Sequence, residues 1–217
     1  MINVPYEGPQ DLPDVIPLFP LGGALLLPRG QLPLNVFEPR YMSMVDDVIR
    51  THRLIGMIQP QTERDGAGLY ATGCIGRITQ LQETGDGRYG LTLCGVARFH
   101  LLEELTCVTP YRQGRVDYAP FVQDFVEPDD DDLVDREGVL RALRQFAKAN
   151  RLRIDWKDIN DAPNEALINA LAMMSPFGIK EKQALLEAGD LKTRAEVLIA
   201  ITEMDLARGA TPHSTVQ

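Results

Sequence analysis

The sequence predicts an α+β protein: a small barrel or strongly bent antiparallel sheet, followed by a helical subdomain. Three observations carry this. From Leu54 to Tyr118 the apolar residues recur with a period of two, and Gly/Asp turn residues separate the runs. From about residue 130 onward they recur with the period of a helix. Strands come first and helices second, which is α+β order.

Residues 1–14 are polar, contain three prolines and read as an extended arm. Residues 15–128 form the expected β-rich unit. Its opening stretch, VIPLFPLGGALLLPRGQLPLNVFEPRY, holds Pro17, Pro20, Pro28, Pro33 and Pro39, which forbid a long helix. Short strands with turns at Gly22-Gly23 and Arg29-Gly30 remain. Pro39 suits the first position of a helix near 39–51, where its missing N–H costs nothing. Tyr41, Met44, Val45, Val48 and Ile49 then make one helical stripe. Leu54–Ile58 reads as a strand. Tyr89, Leu91 and Leu93, and then Ala97, Phe99 and Leu101, alternate as strands do, and Val116 with Tyr118 hints at one more. Asp65-Gly66 and Gly85-Asp86-Gly87 supply turns.

Residues 119–132 read as a loop ending in Asp129 to Asp132, carboxylates that suit a helix N-terminus better than a calcium loop. Residues 129–208 are expected to be helical. Leu133, Leu140, Leu143 and Ala147 mark one helix. Pro163 opens another, with Leu167, Leu171 and Met174 on one face and Ser175-Pro176 at its end. Lys180–Ala188 is a short helix stopped by Gly189. Asp190 caps a last helix through Leu191, Ala195, Leu198 and Ile201. Residues 209–217 read as a disordered tail.

Composition narrows the function. The 217 residues are 44% hydrophobic and 24% charged, ordinary for a globular protein large enough to need no disulfide or metal staple. Lys plus Arg is 22 and Asp plus Glu is 31, a formal net charge of −9. That argues against a general nucleic-acid binder and against attraction to an anionic membrane. Cys74, Cys94 and Cys107 are odd in number and lack CxxC spacing, so they read as reduced thiols. The first 14 residues carry no Lys or Arg, unlike a signal or transit peptide, and no apolar run approaches the ~18 residues of a membrane helix. The expected location is the cytoplasm.

No motif supports catalysis. Gly85-Asp86-Gly87-Arg88-Tyr89-Gly90 matches GxGxxG, but it lies between two alternating strands and reads as a hairpin turn, not a dinucleotide loop. There is no Walker motif, no GxSxG around Ser43, Ser175 or Ser214, and no HExxH around His52, His100 or His213. Cys94 and His100 on one strand stand roughly 20 Å apart, too far for a nucleophile and its base. No cofactor and no metal are expected.

Glu38 and Arg40 flank Pro39 in a greasy segment, where charges are usually paired. The expected role is structural: Arg40 at least partly buried on Glu38 or on nearby carbonyls. Breaking such a buried pair costs about 3–5 kcal/mol. A carboxylate ligand on Arg40 is the functional alternative.

Pro17-Leu18-Phe19-Pro20-Leu21, then Leu27-Pro28, Leu32-Pro33-Leu34, and Phe37-Glu38-Pro39-Arg40-Tyr41 with Met44, resemble the start of the Lon protease N-terminal domain. In that family the pattern reads PLFPL, a hydrophobe and Pro, LPL, then FE-x-RY and M. Glu181-Lys182-Gln183, Leu185-Leu186-Glu187 and Thr193-Arg194 are similar to its helical end, so the resemblance covers roughly Val15 to Arg208. It implies a PUA-like β-barrel with a C-terminal helical subdomain. It also implies a bacterial, stand-alone recognition module without the ATPase and protease modules of Lon. No catalytic residue belongs to that domain. The expected role is adaptor-like binding of unfolded or exposed apolar polypeptide segments, or of a partner protein, in protein quality control. PUA-like barrels elsewhere bind RNA, but the acidic balance weighs against it here. Leu25, Leu27, Phe37 and Met42 are the first candidates for peptide contact, because the Pro- and Leu-rich segment holds more apolar side chains than short strands obviously bury.

Overall fold

The computed structural model describes residues 5–64, 66–126, 134–150 and 156–210. The expected turn residue Asp65, the acidic run Asp129–Asp132, the expected helix marker Leu133 and residues 211–217 of the expected tail lie outside them, whereas Gly209 and Ala210, also read as tail, end the last helix. Contacts divide the chain into two units: residues 1–127 with 176–186, and residues 128–175 with 187–217.

The first unit holds β1 (Val15–Pro20), β2 (Gln31–Val36), α1 (Pro39–Ile49), β3 (Leu54–Pro60), β4 (Leu69–Glu83), β5 (Tyr89–Leu105) and β6 (Gln113–Asp117). The sheet runs β2-β5-β4-β3-β1-β6, and a further β5–β6 pairing closes β1, β3, β4, β5 and β6 into a barrel. Every pair is antiparallel except β1–β3, where Leu18 faces Gly56 in parallel. The chain reverses through β2 and α1 between these two strands, the kind of crossover that a parallel pair requires. β5 is the spine. Its first half pairs with β2 (Leu32 opposite Leu93) and its second half with β6 (Leu101 opposite Val116).

Period-two alternation puts Ile16, Leu18, Leu54, Ile58, Ile75, Ala97, Phe99 and Val116 into one core cluster. Phe99 has no solvent exposure. It fits because Gly73 opposes it: a Cβ there would overlap the Phe99 ring. Glycines break the apolar alternation of β4, so this 15-residue strand is not evident from pattern alone. α1 matches its expected stripe, with Tyr41, Met44, Val45 and Val48 buried. Tyr89 Oη donates to Asp46 at 2.7 Å and Tyr111 Oη to Asp47 at 2.7 Å, so α1 is tied to β5 and to the segment before β6. Gly85–Gly87 is the β4–β5 turn, with Gly87 at φ 77° and Thr84 N donating to Arg88 O. The arm is more than an extended strand: Pro9–Asp11 is a 3-10 turn and Leu12 joins the core.

The loop expected after Tyr118 contains a 3-10 segment, Ala119–Phe125. Its Asp124 accepts three bonds from Arg98 of β5: from the backbone N at 2.8 Å, Nε at 2.9 Å and Nη2 at 2.8 Å. The two side chains are 4% and 7% exposed. The Arg98 guanidinium also stacks on Phe121 and donates from Nη1 to the Leu186 carbonyl. Leu186 lies on α5 (Ile179–Glu187), most of which belongs to this first unit. Gln59 of β3 adds a second link to α5. Its Nε2 donates to Ile179 O and Gln183 Oε1, and Gln183 Nε2 donates to Thr72 O.

The second unit contains α2 (Arg136–Ala149), α3 (Trp156–Asp161), α4 (Asn164–Met174) and α6 (Leu191–Ala210). α6 packs on α2 and α4. Asp135 caps α2 by accepting from Gly138 N, and Asp190 accepts from Thr193 N as expected. Arg136 Nη2 donates to the Ile159 and Asn160 carbonyls, satisfying the orphan end of α3. No helix among the described residues is long and apolar enough to cross a membrane.

Two outcomes are expected. Asp124→Ala, which strands the buried Arg98 guanidinium, should cost about 3–5 kcal/mol in urea unfolding, and Arg98→Met with Asp124→Leu should recover much of that. Tyr118 is buried with its Oη on the Pro13 carbonyl, and burial pushes its phenol up. The folded state therefore holds the proton after the unfolded chain has released it. This contribution is complete below about pH 10 and is lost as pH rises further. Tyr118→Phe should cost about 1 kcal/mol at neutral pH and make the alkaline limb of a pH-stability curve shallower. Tyr111, also raised by burial and Asp47, would keep part of it.

Candidate functional site

A groove of 620 Å³ opens on the first unit, within the size range of ligand sites. One wall is the turn after β1 (Pro20, Leu21, Gly22). A second is the start of α1 (Glu38, Arg40, Tyr41). A third is the β3–β4 connection from Pro60 through Thr62, Glu63 and Arg64 to Gly66 and Ala67, and Arg112 completes the lining. Pro20 ends β1 and Pro39 starts α1, so the segment after each proline leaves the strand and turns to the groove.

Proline rings, Leu21, Ala67 and the Tyr41 ring supply apolar surface. Tyr41 is held against Phe19, with ring centroids 4.2 Å apart. Three guanidinium groups supply charge. Arg40 donates to Glu38 at 2.9 Å from Nε and lies over the Tyr41 ring. Arg112 holds Glu104 through two bonds of 2.6 Å and donates to Ala67 O. The Arg64 side chain is exposed and has no hydrogen-bond or ion-pair partner among the described residues, whereas its carbonyl accepts from Ala67 N. The Glu38 carboxylate faces Arg40 rather than capping α1, whereas its carbonyl accepts from Tyr41 N and Met42 N.

Among the described residues no serine, cysteine, histidine or lysine lines the groove, and no group of three His, Cys, Asp or Glu could hold a metal. The groove has the means to bind and orient an apolar chain with polar or acidic groups.

The structure separates the sequence-predicted residues. Leu25 and Leu27 are 1% and 0% exposed, so they are core and no peptide reaches them. The β1–β2 connection folds onto the sheet: Leu26 packs at Gly76, and Gly95 N donates to Gly30 O while Arg29 N donates to Gly95 O. This is where the apparent apolar surplus goes. Phe37 is 61% exposed and Met42 half-buried. Of the motif residues, Pro17, Leu18, Phe19, Pro28 and Met44 are buried, and Leu32 and Leu34 half-buried. Pro33 and Pro39 are exposed. Pro20, Leu21, Glu38, Arg40 and Tyr41 line the groove. Sequence reasoning missed Arg64, Ala67 and Arg112. Only the antiparallel register of β5 on β6 brings Glu104 near Arg112, and no linear spacing signals it.

The model of the ATP-dependent protease La (Lon) substrate-binding domain matches residues 15–203. The chain is 29% identical over 203 residues to Lon protease 2 of Myxococcus xanthus, covering 88% of this chain and 24% of that protein. It is 31% identical over 206 residues to Lon protease of Parabacteroides distasonis, covering 90% and 24%. The chain thus spans about a quarter of the length of these curated relatives. A crystal structure of a Lon N-terminal domain protein from Xanthomonas campestris superposes with a TM-score of 0.61 at 28% identity, covering 86% of this chain and 97% of that one. The N-terminal domain of Mycobacterium avium complex Lon protease, 18% identical with a TM-score of 0.61, shares the fold over 87% of this chain and 98% of its own.

The Arg40–Glu38 pair forms as expected, but its side chains are 40% and 42% exposed, so the cost of breaking a buried pair does not apply. Solvent screening leaves about 0–1 kcal/mol in such a pair. Arg40→Ala should therefore lower the melting temperature by no more than about 4 °C in a scanning calorimeter.

Proposed function

The chain belongs to the Lon substrate-binding domain family, and on that premise we propose that it is a non-catalytic module that binds unfolded or exposed apolar segments of polypeptides through the groove beside α1. One observation carries the reading. Pro20, Leu21, Glu38, Arg40 and Tyr41, residues that carry the sequence resemblance, also line the 620 Å³ groove. Apolar walls suit side chains that a folded protein would hide, and guanidinium groups suit the carboxylates and carbonyls of a polypeptide.

The module works as an adaptor in protein quality control, holding a polypeptide for a protease active site that this groove does not contain. The setting is the bacterial cytoplasm, where the free thiols of Cys74, Cys94 and Cys107 stay reduced. The family and the structural likeness support polypeptide binding. The adaptor role and the location rest on the groove chemistry and the free thiols.

The test is fluorescence anisotropy with a labelled, reduced and carboxymethylated polypeptide. Saturable binding is expected, competed by the same chain unfolded and not by its folded form. Arg64→Glu with Ala67→Glu should weaken it about fivefold, roughly 1 kcal/mol, at an unchanged melting temperature. Equal competition by folded protein, or cleavage of the probe by the homogeneous chain, would overturn the proposal.

A further inference from the structure

β2 lies at the end of the sheet order, and its hydrogen bonding leaves one side free. The parity is fixed from both directions. Gly95 N donates to Gly30 O, so residues of even number in β2 turn their main chain toward β5. Thr84 N donates to Arg88 O, which sets Gly90 and Thr92 toward β4 and leaves Leu91 and Leu93 for β2. Leu32, Leu34 and Val36 therefore bond to β5, and Gln31, Pro33 and Asn35 turn outward. All three outward residues are exposed, and among the described residues nothing bonds to their main chain. Pro33 is tolerated because its missing N–H would have pointed to solvent.

Natural sheets usually blunt such an edge with charge, proline or a bulge. β2, sequence QLPLNV, carries no charge, and its one proline removes a single outward donor while the Gln31 and Asn35 amides stay available. Phe37, 61% exposed, follows it directly, and Glu38 at the groove rim comes next. We propose that the free edge of β2 is a strand-addition site, where an extended polypeptide segment pairs antiparallel, main chain to main chain, with Gln31, Pro33 and Asn35. This rests on the polypeptide-binding reading and says how the chain is held. Recognition through amides is indifferent to side-chain sequence, which suits a module for unfolded chains in general. The edge is continuous in sequence with the groove, so one bound segment can use both.

A second copy of this chain fits less well. A two-fold pairing of β2 with itself centred on Pro33 sets proline against proline and forfeits both central bonds. A free peptide instead donates to the Pro33 carbonyl and exchanges two bonds each with Gln31 and Asn35.

The experiment uses the full chain and a 12-residue peptide of alternating Val and Thr. Amide hydrogen exchange should show Gln31 and Asn35 becoming protected when peptide is added, with Leu32 and Leu34 unchanged. Strand addition uses one edge of the peptide. N-methylation of every residue should therefore weaken binding about tenfold or more, whereas methylation of alternate residues should leave it nearly intact. Asn35→Pro should weaken binding several-fold without lowering the melting temperature. Peptide that binds while Gln31 and Asn35 exchange as before would overturn the edge site and leave the groove reading standing. Protection of the same amides by concentration alone, with a dimer in light scattering, would replace the peptide with a second copy. Failure of both this peptide and the unfolded polypeptide to bind would overturn both readings.

Discussion

The Arg98–Asp124 ion pair joins three segments that are far apart in sequence: the middle of β5, the 3-10 segment after β6, and the end of α5. Its weight comes from the donor geometry. A guanidinium with five N–H groups can serve a carboxylate, a carbonyl and a ring face at once, and lysine cannot. Asp124 also receives the Arg98 backbone N–H, and its own carbonyl accepts from Arg29 Nη1 at 2.6 Å. The turn before β2, the spine strand and the segment beyond the barrel therefore meet on one residue. A buried pair of this kind adds little net stability over apolar packing, but it permits few alternative arrangements of the segments it joins.

β5 governs the rest. A 17-residue strand cannot stay flat in a small barrel, and its register slips near Val96 and again near Leu102. Between those irregularities it passes from β2 to β6 as its second partner. That change of partner closes the barrel and at the same time leaves β2 with a single neighbour. The barrel and the open edge are thus two results of one bend.

Much of this is legible in the sequence. Alternation at Ala97, Phe99 and Leu101 marks a strand because these residues pack by that period. Pro39 and the stripe from Tyr41 to Val48 mark α1, and Asp190 marks the start of α6. β4 is hidden because Gly73 makes room for Phe99 and Gly76 for Leu26 and Leu93, so the pattern that serves packing erases the pattern that signals a strand. α3 and the 3-10 segment are short and set by tertiary contacts. At the site, FEPRY is visible as an oddity, but whether its residues face the core or a groove is a matter of chain reversal. Leu25 and Leu27 show the difficulty from the other side. A run of leucines between prolines looks like surplus until the loop carrying it is seen lying on the sheet. Arg98 and Asp124 are 26 residues apart with ordinary neighbours, and nothing local distinguishes them from surface charges.

The first unit is not a continuous piece of chain: it needs residues 176–186 as well as 1–127. A ribosome releases the chain from its N-terminus, so every strand of the barrel emerges before the helix that covers Gln59, Thr72 and Arg98. Until α5 arrives, the Arg98 guanidinium holds Asp124 but lacks the Leu186 carbonyl, and Gln59 Nε2 and the Thr72 carbonyl lack their partners on α5, while the intervening helical residues are being made. The β-rich unit therefore reaches its final form only after α5 has been made. A nascent chain halted near residue 170 would present a closed ring of strands whose Arg98 lacks the Leu186 carbonyl and whose Gln59 lacks Gln183, a state open to chaperones until α5 follows.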